Sequence, residues 1–256
     1  MQDLLNEYLQ ELAETICKTL QEELNAIAIG GSIVFHDFHP DVSDIDVALF
    51  LNSPPSAKQL SILAQNLDHS VLPCPGKGLD LVAFLLQSVQ ITPPTPEAAF
   101  AFVTGKAWRS ELTGSDANPD LLIDLHVIRN HGRSLFGPDP GDFIGSIGNA
   151  ELRPLLVNVV QWHRDKIHDP FHDPMGEFAV LNACRAWRFL DTKIMGSKIE
   201  GGKWALARKA DLTVISEALA IRQGSRTGPL PKTSVLHCMD AIEVEMTRAI
   251  SSTQRS

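Results

Sequence analysis

The sequence has few cysteines and no long apolar run, and each lack excludes a class of protein. No two cysteines form a C-x-x-C pair, so neither a structural zinc site nor a disulfide framework is indicated. The four are widely scattered, at Cys17, Cys74, Cys184 and Cys238. No apolar segment approaches the roughly 20 residues that span a bilayer, and the acidic first residues do not resemble a secretion signal. A cytoplasmic location is therefore expected.

The sequence also lacks an excess of basic residues. Its 256 residues carry a formal net charge of −9, with a pI near 5.4. Proteins that bind long nucleic acids use a basic patch or stripe against the phosphates, so this balance argues against polymeric nucleic acid as a partner. A chain of this length can bury a substantial core, either as one large domain or as two smaller ones.

The first half of the chain alternates helix and strand patterns. Apolar spacing predicts a helix over Leu4–Leu20, a strand in "AIAIGGS", a strand in "VALFL", a helix over Ser56–Leu67 and a strand in "LDLVAFLLQSV". Between residues 93 and 119 the pattern does not decide between helix and strand. This order predicts a small mixed sheet with helices packed against it.

The second half is helical in pattern. Helical spacing over Leu121–Leu135 is followed by the glycines and prolines of "SLFGPDPGDF", which predict a domain boundary after residue 140. Further helices are predicted over Leu152–Trp162, Phe178–Leu190, Lys203–Ile221 and Val235–Ile250. The predicted fold class is therefore α+β, with a mixed sheet and helices in residues 1–140 and an all-helical bundle in residues 141–256.

The segment "GGSIVFHDFHPDVSDIDVALF", residues 30–50, sets two carboxylates at the start of an apolar strand. Asp44 and Asp46 are one residue apart, so in a strand their side chains share a face. Like charges this close raise one another's pKa unless a cation lies between them. Taken alone, a turn cap at Asp44 and a solvated strand edge at Asp46 explain the pair as well as a functional role does.

The surroundings of this pair favour a functional role. The Gly-Gly-Ser turn ending the preceding strand lets the backbone approach a phosphate, because glycine has no obstructing side chain. A third carboxylate, Asp80, opens the strand "LDLVAFLL", where burial is costly without a metal or hydrogen bonds. Magnesium binds through one or two carboxylates together with substrate phosphates. The combination predicts a site for a magnesium-bound triphosphate.

Three separated segments carry a family resemblance. Residues 30–50 resemble the signature of the DNA-polymerase-β-type nucleotidyltransferases, in which Gly-Ser is followed, after a short helix, by Asp-x-Asp. "IDLHVIRNHGRSLFGPD" resembles the segment that closes the catalytic domain in the streptomycin/spectinomycin adenylyltransferase family. "AVLNACRAWRFLDTKIMGSKIEGGKWAL" resembles the helical C-terminal domain of that family. The three occur in the family's order and extend over most of the chain.

The resemblance implies roles for individual residues. Asp44 and Asp46 would ligate two Mg²⁺ ions, and Asp80 would be the base that takes the proton of the acceptor hydroxyl. The phosphates of ATP, the co-substrate, would be held by Gly31, Ser32, Ser43, Arg185 and Lys198. Two departures from the family stand out. The family usually has Glu where Asp80 stands, and its late aromatic ATP contact is a tyrosine, whereas the one tyrosine here is Tyr8.

The acceptor side is assigned by the same resemblance. "QWHRDKIHDPFHDPMGEF" falls where the family contacts its antibiotic, and its carboxylates would suit a polycationic sugar. A tryptophan of the same cleft is roughly matched in "GKAWRSE". The implied acceptor contacts are Trp108, Trp162, Asp169, Asp173 and Glu177. The alternative for Trp162 is a core position, because it lies on a helical apolar stripe.

Three histidines in this segment raise the alternative of a transition-metal site. His163, His168 and His172 are spaced by five and four residues. Pro170 and Pro174 would break the helix needed to align them, and no cysteine is near. We therefore expect a pH-sensitive surface loop and no dedicated transition-metal site.

The expected function is that of a two-domain, Mg-ATP-dependent adenylyltransferase with its site in the interdomain cleft. It would transfer AMP to a hydroxyl of an aminoglycoside or aminocyclitol such as streptomycin or spectinomycin, release pyrophosphate, and act in antibiotic resistance as a cytoplasmic monomer. One alternative is transfer to another small molecule or to a protein hydroxyl. A second is a nucleotide-binding sensor without catalysis, against which the intact set of three carboxylates argues.

Overall fold

The computed structural model describes residues 2–114, 121–169 and 172–253. The chain divides into two compact units, Met1–Gly148 and Asn149–Ser256. No helix in these described ranges is long and apolar enough to cross a membrane.

The first unit is built on a mixed six-stranded sheet. Its strands are β1 (Leu24–Ile29), β2 (Ile45–Leu51), β3 (Gly78–Leu85), β4 (Ala98–Gly105), β5 (Glu111–Thr113) and β6 (Arg133–Phe136), in the spatial order β5-β4-β3-β2-β1-β6. The pair β2 and β3 is parallel, whereas the other neighbouring strands in the described sheet run antiparallel. The sheet thus confirms the predicted α+β class.

Helices cover this sheet. They are α1 (Gln2–Leu20), α2 (Gly31–Val34), α3 (Ala57–Leu67), α4 (Leu86–Gln90), α5 (Leu121–His131) and α6 (Pro140–Phe143). The apolar stripe of α1 and one apolar face of β1 and β2 lie in the same buried cluster, because each buries its apolar side away from water. The Ser56 hydroxyl accepts the Gln59 N–H, and the Gln59 side chain accepts the Ser56 N–H, so a capping box starts α3 where the sequence predicts it.

Two predicted elements of this unit end early. The strand predicted in "LDLVAFLLQSV" stops at Leu85 and continues as the short helix α4. The helix predicted over Leu121–Leu135 stops at His131, and Arg133–Phe136 instead pairs with β1 as an edge strand. Both errors have one cause: short apolar runs suit either structure, and pairing with a distant strand decides. The undecided segment from residue 93 forms β4 and β5, and its residues 115–119 lie outside the described part.

The second unit is all-helical, as predicted. Its helices are α7 (Asn149–Asp165), α8 (Glu177–Thr192), α9 (Lys198–Leu206), α10 (Thr213–Arg222) and α11 (Lys232–Thr253). Helix α8 is the central one: it contacts each of the others and buries most of its residues. The single helix predicted over Lys203–Ile221 is wrong, because the chain turns after α9 and starts α10 at Thr213. The turn is mostly exposed and polar, while apolar residues on both sides mimic one continuous stripe.

Candidate active site

Parallel pairing of β2 and β3 brings two of the predicted carboxylates together. Asp46 and Asp80 are direct register partners on these neighbouring strands. Side chains at paired positions project from the same face of a sheet, so the two carboxylates lie side by side. Asp44 is one residue before β2, and its charge acts on Asp80. The first unit therefore gathers all three predicted carboxylates at one end of adjacent strands.

Asp80 is the most perturbed of the three. Burial, followed by the negative charge of Asp44, raises its pKa to about 6. A carboxyl with this pKa is mostly ionised at neutral pH, yet it holds a proton better than an exposed aspartate does. Such a group is suited to accepting a proton during catalysis. A cation beside the three carboxylates would relieve the repulsion that burial strengthens.

The Gly-Gly turn lies directly on Asp46. Gly31 has φ = +55°, a left-handed conformation, and a Cβ added to it would fall 1.6 Å from Oδ2 of Asp46. The backbone N–H of Gly30 donates to the carbonyl oxygen of Asp46 at 3.0 Å. No side chain can therefore be accommodated at position 31 without displacing the carboxylate. The chain needs glycine here both for its backbone conformation and for close approach.

Ser32 follows this turn and has an unusual hydroxyl. Its Oγ is buried and has no hydrogen-bond partner among the described residues. A buried hydroxyl without a partner is costly unless a bound group satisfies it. An anionic oxygen of a nucleotide would do so, and the neighbouring carboxylates would then require a divalent cation to balance the charge. The residues present thus fit a magnesium-bound triphosphate.

The carboxylates need a substrate to complete a metal site. Among the described residues, no group of three or more His, Cys, Asp or Glu side chains is arranged to hold a metal ion. A Mg²⁺ ion that arrives with a nucleotide takes most of its ligands from phosphates and water and needs only one or two protein carboxylates. Asp44 and Asp46 can supply these.

Ser43 lies in a different setting from the predicted phosphate contact. It is fully buried, at 0% exposure, and its Oγ accepts the N–H of His39 at 3.0 Å. Its own N–H donates to the His39 carbonyl at 2.8 Å, and its carbonyl accepts the N–H of Lys77 at 2.8 Å. Ser43 therefore fixes the loop that ends at Asp44 and ties it to the start of β3. In this position the hydroxyl oxygen is buried and accepts a backbone N–H, and a phosphate contact by Ser43 stays a prediction.

Trp108 lies at the same end of β3 as Asp80. Its ring covers Gly78, where an added Cβ would fall 2.5 Å from a ring carbon. The ammonium of Lys77 lies 5.5 Å from the ring centroid. The sequence argument missed Lys77, an exposed cation next to this tryptophan, because a single lysine in a Gly-rich loop has no distinguishing pattern.

The two predicted phosphate-binding cations of the helical unit lie around one buried histidine. Both Arg185, on α8, and Lys198, at the start of α9, contribute to lowering the pKa of His163. The Lys198 ammonium lies 3.6 Å from the centroid of the Phe178 ring. This contact orients the lysine beside the first turn of α8.

Glu177 opens α8 and is buried. Its pKa is raised by burial and by Asp173, while Arg222 and Lys198 oppose the shift. Arg222, at the end of α10, is itself 7% exposed. The sequence argument missed it, because a single arginine on an apolar helix looks like an ordinary surface charge. Glu177 is thus part of a charged cluster inside the helical unit.

The predicted acceptor residues differ in how open they are. Trp162 is 44% exposed, so the alternative of a core position is wrong. Asp173 uses both carboxylate oxygens to accept backbone N–H groups, from Gly176 at 2.9 Å and from Ala179 at 2.8 Å, and so caps the start of α8. Asp169 is half-buried in the turn that follows α7.

One prediction about the histidines is wrong. His163 is not in a surface loop but on α7, and it is 1% exposed. It continues the apolar stripe of Leu152, Leu156 and Val160, a spacing that the sequence does contain. His172, in contrast, lies in the loop before α8, and Pro170 is outside the described residues.

Two comparisons with known proteins give a match. Residues 143–242 match the family described as aminoglycoside adenylyltransferase, C-terminal domain. The solved structure of spectinomycin adenyltransferase AAD(9) from Enterococcus is similar over 94% of this chain and 99% of that chain, with a TM-score of 0.70 and 18% sequence identity. At that identity the likeness shows a shared fold. No curated protein sequence matches the chain. The helical unit therefore matches the C-terminal domain of aminoglycoside adenylyltransferases, and the chain shares its fold with a solved adenyltransferase.

Proposed function

We propose that the protein transfers AMP from Mg-ATP to a hydroxyl of a cationic aminocyclitol antibiotic and releases pyrophosphate. Spectinomycin is the first acceptor to consider, because the similar solved structure contains ATP and spectinomycin. Streptomycin is the second, from the family resemblance. The observation on which the proposal depends is the pairing of Asp46 with Asp80, with Gly31 packed against the first carboxylate.

The ATP side of the reaction would be organised by the Gly-Gly-Ser turn and the Asp-x-Asp pair. The unpartnered Ser32 hydroxyl and the backbone at Gly31 would contact phosphate oxygens. Asp44 and Asp46 would hold two Mg²⁺ ions. Magnesium supplies charge stabilisation for the phosphate oxygens when it is bound. Ser43 would contribute indirectly, by holding the loop that ends at Asp44.

Asp80 would act as the general base. The acceptor oxygen forms a bond to the α-phosphorus, the bond from that phosphorus to the bridging oxygen breaks, and pyrophosphate leaves. The proton of the acceptor hydroxyl passes to the Asp80 carboxylate, whose pKa of about 6 suits a proton acceptor near neutral pH.

The helical unit would add cations and acceptor contacts. Arg185 and Lys198 are the proposed phosphate contacts of this unit, and Trp162 offers an exposed aromatic surface for a sugar ring. Proposed acceptor contacts besides Trp162 are Trp108, Asp169, Asp173 and Glu177. Of these, Asp173 would act mainly by capping α8 and so shaping the preceding loop. The biological proposal is a cytoplasmic monomer that confers antibiotic resistance, and the free cysteines of the described chain fit a reducing compartment.

The test is incubation with ATP labelled at the α-phosphate, Mg²⁺ and a panel of aminoglycosides and aminocyclitols. We expect the label to appear on one antibiotic together with release of pyrophosphate. Asp46→Asn is the matched control, because it keeps the side-chain shape but removes the charge. Transfer of label only to a protein or to an unrelated small molecule would replace the proposed acceptor. ATP binding without any transfer would support a sensor instead.

A further inference from the structure

Three side chains of the helical unit form a continuous hydrogen-bonded chain. Nδ2 of Asn182, on α8, is 2.9 Å from Nε2 of His163, on α7. Nδ1 of His163 is 2.9 Å from Nε2 of His172, in the loop before α8. His163 and Asn182 are 1% and 3% exposed, so water does not compete for these bonds. His172 is half-buried and forms the outer end.

The amide at the buried end sets the direction of every bond in this chain. With the amide nitrogen of Asn182 facing the ring, its NH₂ donates and Nε2 of His163 is the accepting nitrogen. Burial, with the positive charges of Lys198 and Arg185 and the neighbouring His172, lowers the pKa of His163 to about 3 and keeps the ring neutral. A neutral ring with a bare Nε2 carries its proton on Nδ1 and donates it to Nε2 of His172. Nε2 of His172 then accepts, which leaves Nδ1 as the donor nitrogen of that ring.

The outer end of the chain lies beside the exposed aromatic surface of the unit. The ring of His172 meets the ring of Trp162 edge to face, with centroids 4.4 Å apart and an interplanar angle of 87°. Trp162 is 44% exposed and precedes His163 on α7. The loop that carries His172 also carries Asp169 and Asp173. An N–H donor, an aromatic face and nearby carboxylates together suit a ligand that has both oxygens and ammonium groups.

We propose that His172 is an acceptor-binding residue that donates its Nδ1–H to an oxygen of the antibiotic, and that Asn182, through His163, is the positioning residue that fixes this donor. The inference rests on the proposed function and names the chemistry by which the acceptor is recognised. A fixed donor binds a hydroxyl, ether or carbonyl oxygen and disfavours an ammonium group at the same place.

The direction of the chain can be measured directly. Nitrogen-15 NMR of the histidine rings in the full-length protein distinguishes the two neutral tautomers. At pH 7.5 we expect the proton of both His163 and His172 on Nδ1. In Asn182→Leu, which removes the donor, we expect the preference of His172 for this tautomer to weaken. A proton on Nε2 of His172 in the wild-type protein would overturn the proposal.

Binding of spectinomycin and streptomycin, measured by calorimetry with Mg²⁺ and a non-hydrolysable ATP analogue, tests the ligand contact. His172→Phe keeps the ring against Trp162 but has no N–H, and we expect it to weaken binding about three- to tenfold, the effect of one neutral hydrogen bond. His172→Asn places an amide donor near the former Nδ1 and should recover most of the loss. The control is His168→Ala, an exposed position of the same loop, which should bind like the wild type.

The outcomes separate this inference from the proposed function. Equal affinity of His172→Phe and wild type for every antibiotic that binds would overturn the inference, whatever the catalytic result. Binding that depends on His172, in a protein that transfers no AMP, would uphold it while the proposed function fails. If the wild-type protein transfers AMP and His172→Phe binds the antibiotic as tightly as the wild type, the proposed function stands and the inference fails. If no antibiotic of the panel binds, both are overturned.

Discussion

A Cβ on Gly31 would fall 1.6 Å from the Oδ2 atom of Asp46, so the turn after β1 and the carboxylate on β2 fit together only while position 31 has no side chain. The predicted consequence of Gly31→Ala is displacement of Asp46. Because small misplacements at a phosphoryl-transfer site are costly, kcat should fall by about 100-fold or more. Steady-state pyrophosphate release is the measurement.

Gly228→Ala is the matched control for this change. Gly228 has φ = +89°, so alanine there meets the same backbone penalty, on the order of 1 kcal/mol, but no described atom lies within 4 Å of its new Cβ. The melting temperature of Gly228→Ala should fall by the amount expected for this backbone penalty. Its turnover should be unchanged. Equal activities of the two variants would show that contact with Asp46 has no catalytic consequence.

Neutralising Asp46 should separate folding from catalysis. Asp46→Asn keeps the volume of the side chain, so the circular dichroism spectrum and the melting temperature in EDTA should match the wild type or exceed it. Turnover should fall by about two orders of magnitude or more, because charge stabilisation at a metal site is worth several kcal/mol. Undiminished pyrophosphate release by this variant would remove the basis of the proposed function.

The positions of the carboxylates on neighbouring strands could be predicted from the sequence, but the hydrogen bonds that hold the loop before them could not. Asp46 and Asp80 begin strongly apolar strands, and neighbouring strands of one sheet bring such positions together. The role of Ser43 could not be predicted, because it depends on the fold of the loop from His39, which buries its hydroxyl. A serine beside an aspartate pair looks the same in sequence whether it holds a phosphate or a backbone amide.

Contacts between residues far apart in the sequence also explain the other differences between the predicted and the observed structure. The edge strand β6 follows α5 and has too few residues for any periodicity, and its structure comes from pairing with β1, about a hundred residues earlier in the chain. His163 could have been recognised as buried from its place on the stripe of Leu152 and Leu156. Its partners Asn182 and His172 could not, since they meet it only after α7 and α8 pack.

The buried His163 predicts an acid-dependent loss of stability. Its pKa is lowered to about 3 in the folded protein, against about 6.5 in an unfolded chain, so the unfolded state binds a proton that the folded state does not. This contribution is fully present above pH 6.5 and is lost as the pH falls from 6.5 toward 3. The slope from this one group is at most about 1.4 kcal/mol per pH unit.

Urea denaturation between pH 7.5 and pH 5 measures that slope. His163→Asn cannot titrate, so its unfolding free energy should decline less steeply over this range, even if it is lower at pH 7.5. His168→Asn, at an exposed position, should keep the wild-type slope. Parallel lines for wild type and His163→Asn would mean that His163 takes up a proton without unfolding.

We expect AMP transfer to depend on Asp80, and the binding of Mg-ATP and acceptor to be nearly independent of it. Asp80→Asn keeps the size of the side chain but cannot take the proton of the acceptor hydroxyl. It should bind Mg-ATP and acceptor almost normally and lose turnover by about two to four orders of magnitude. Asp80→Glu should retain activity, because the resembling family uses the longer acid. Calorimetric binding together with single-turnover transfer of labelled AMP separates the two effects.

Stability provides a second readout for the same variant. Because burial and Asp44 raise the pKa of Asp80 to about 6, its ionised form destabilises the folded protein at pH 7.5 in EDTA. Asp80→Asn removes that charge and should raise the unfolding free energy by about 1–3 kcal/mol. The gain should shrink as the pH falls from 6 and vanish below about 3.8, where the carboxyl is protonated in both states. If Asp80→Asn instead abolishes ATP binding, Asp80 is a metal ligand. If it stays fully active, the base lies elsewhere, with Asp169, Asp173 and Glu177 as the next candidates.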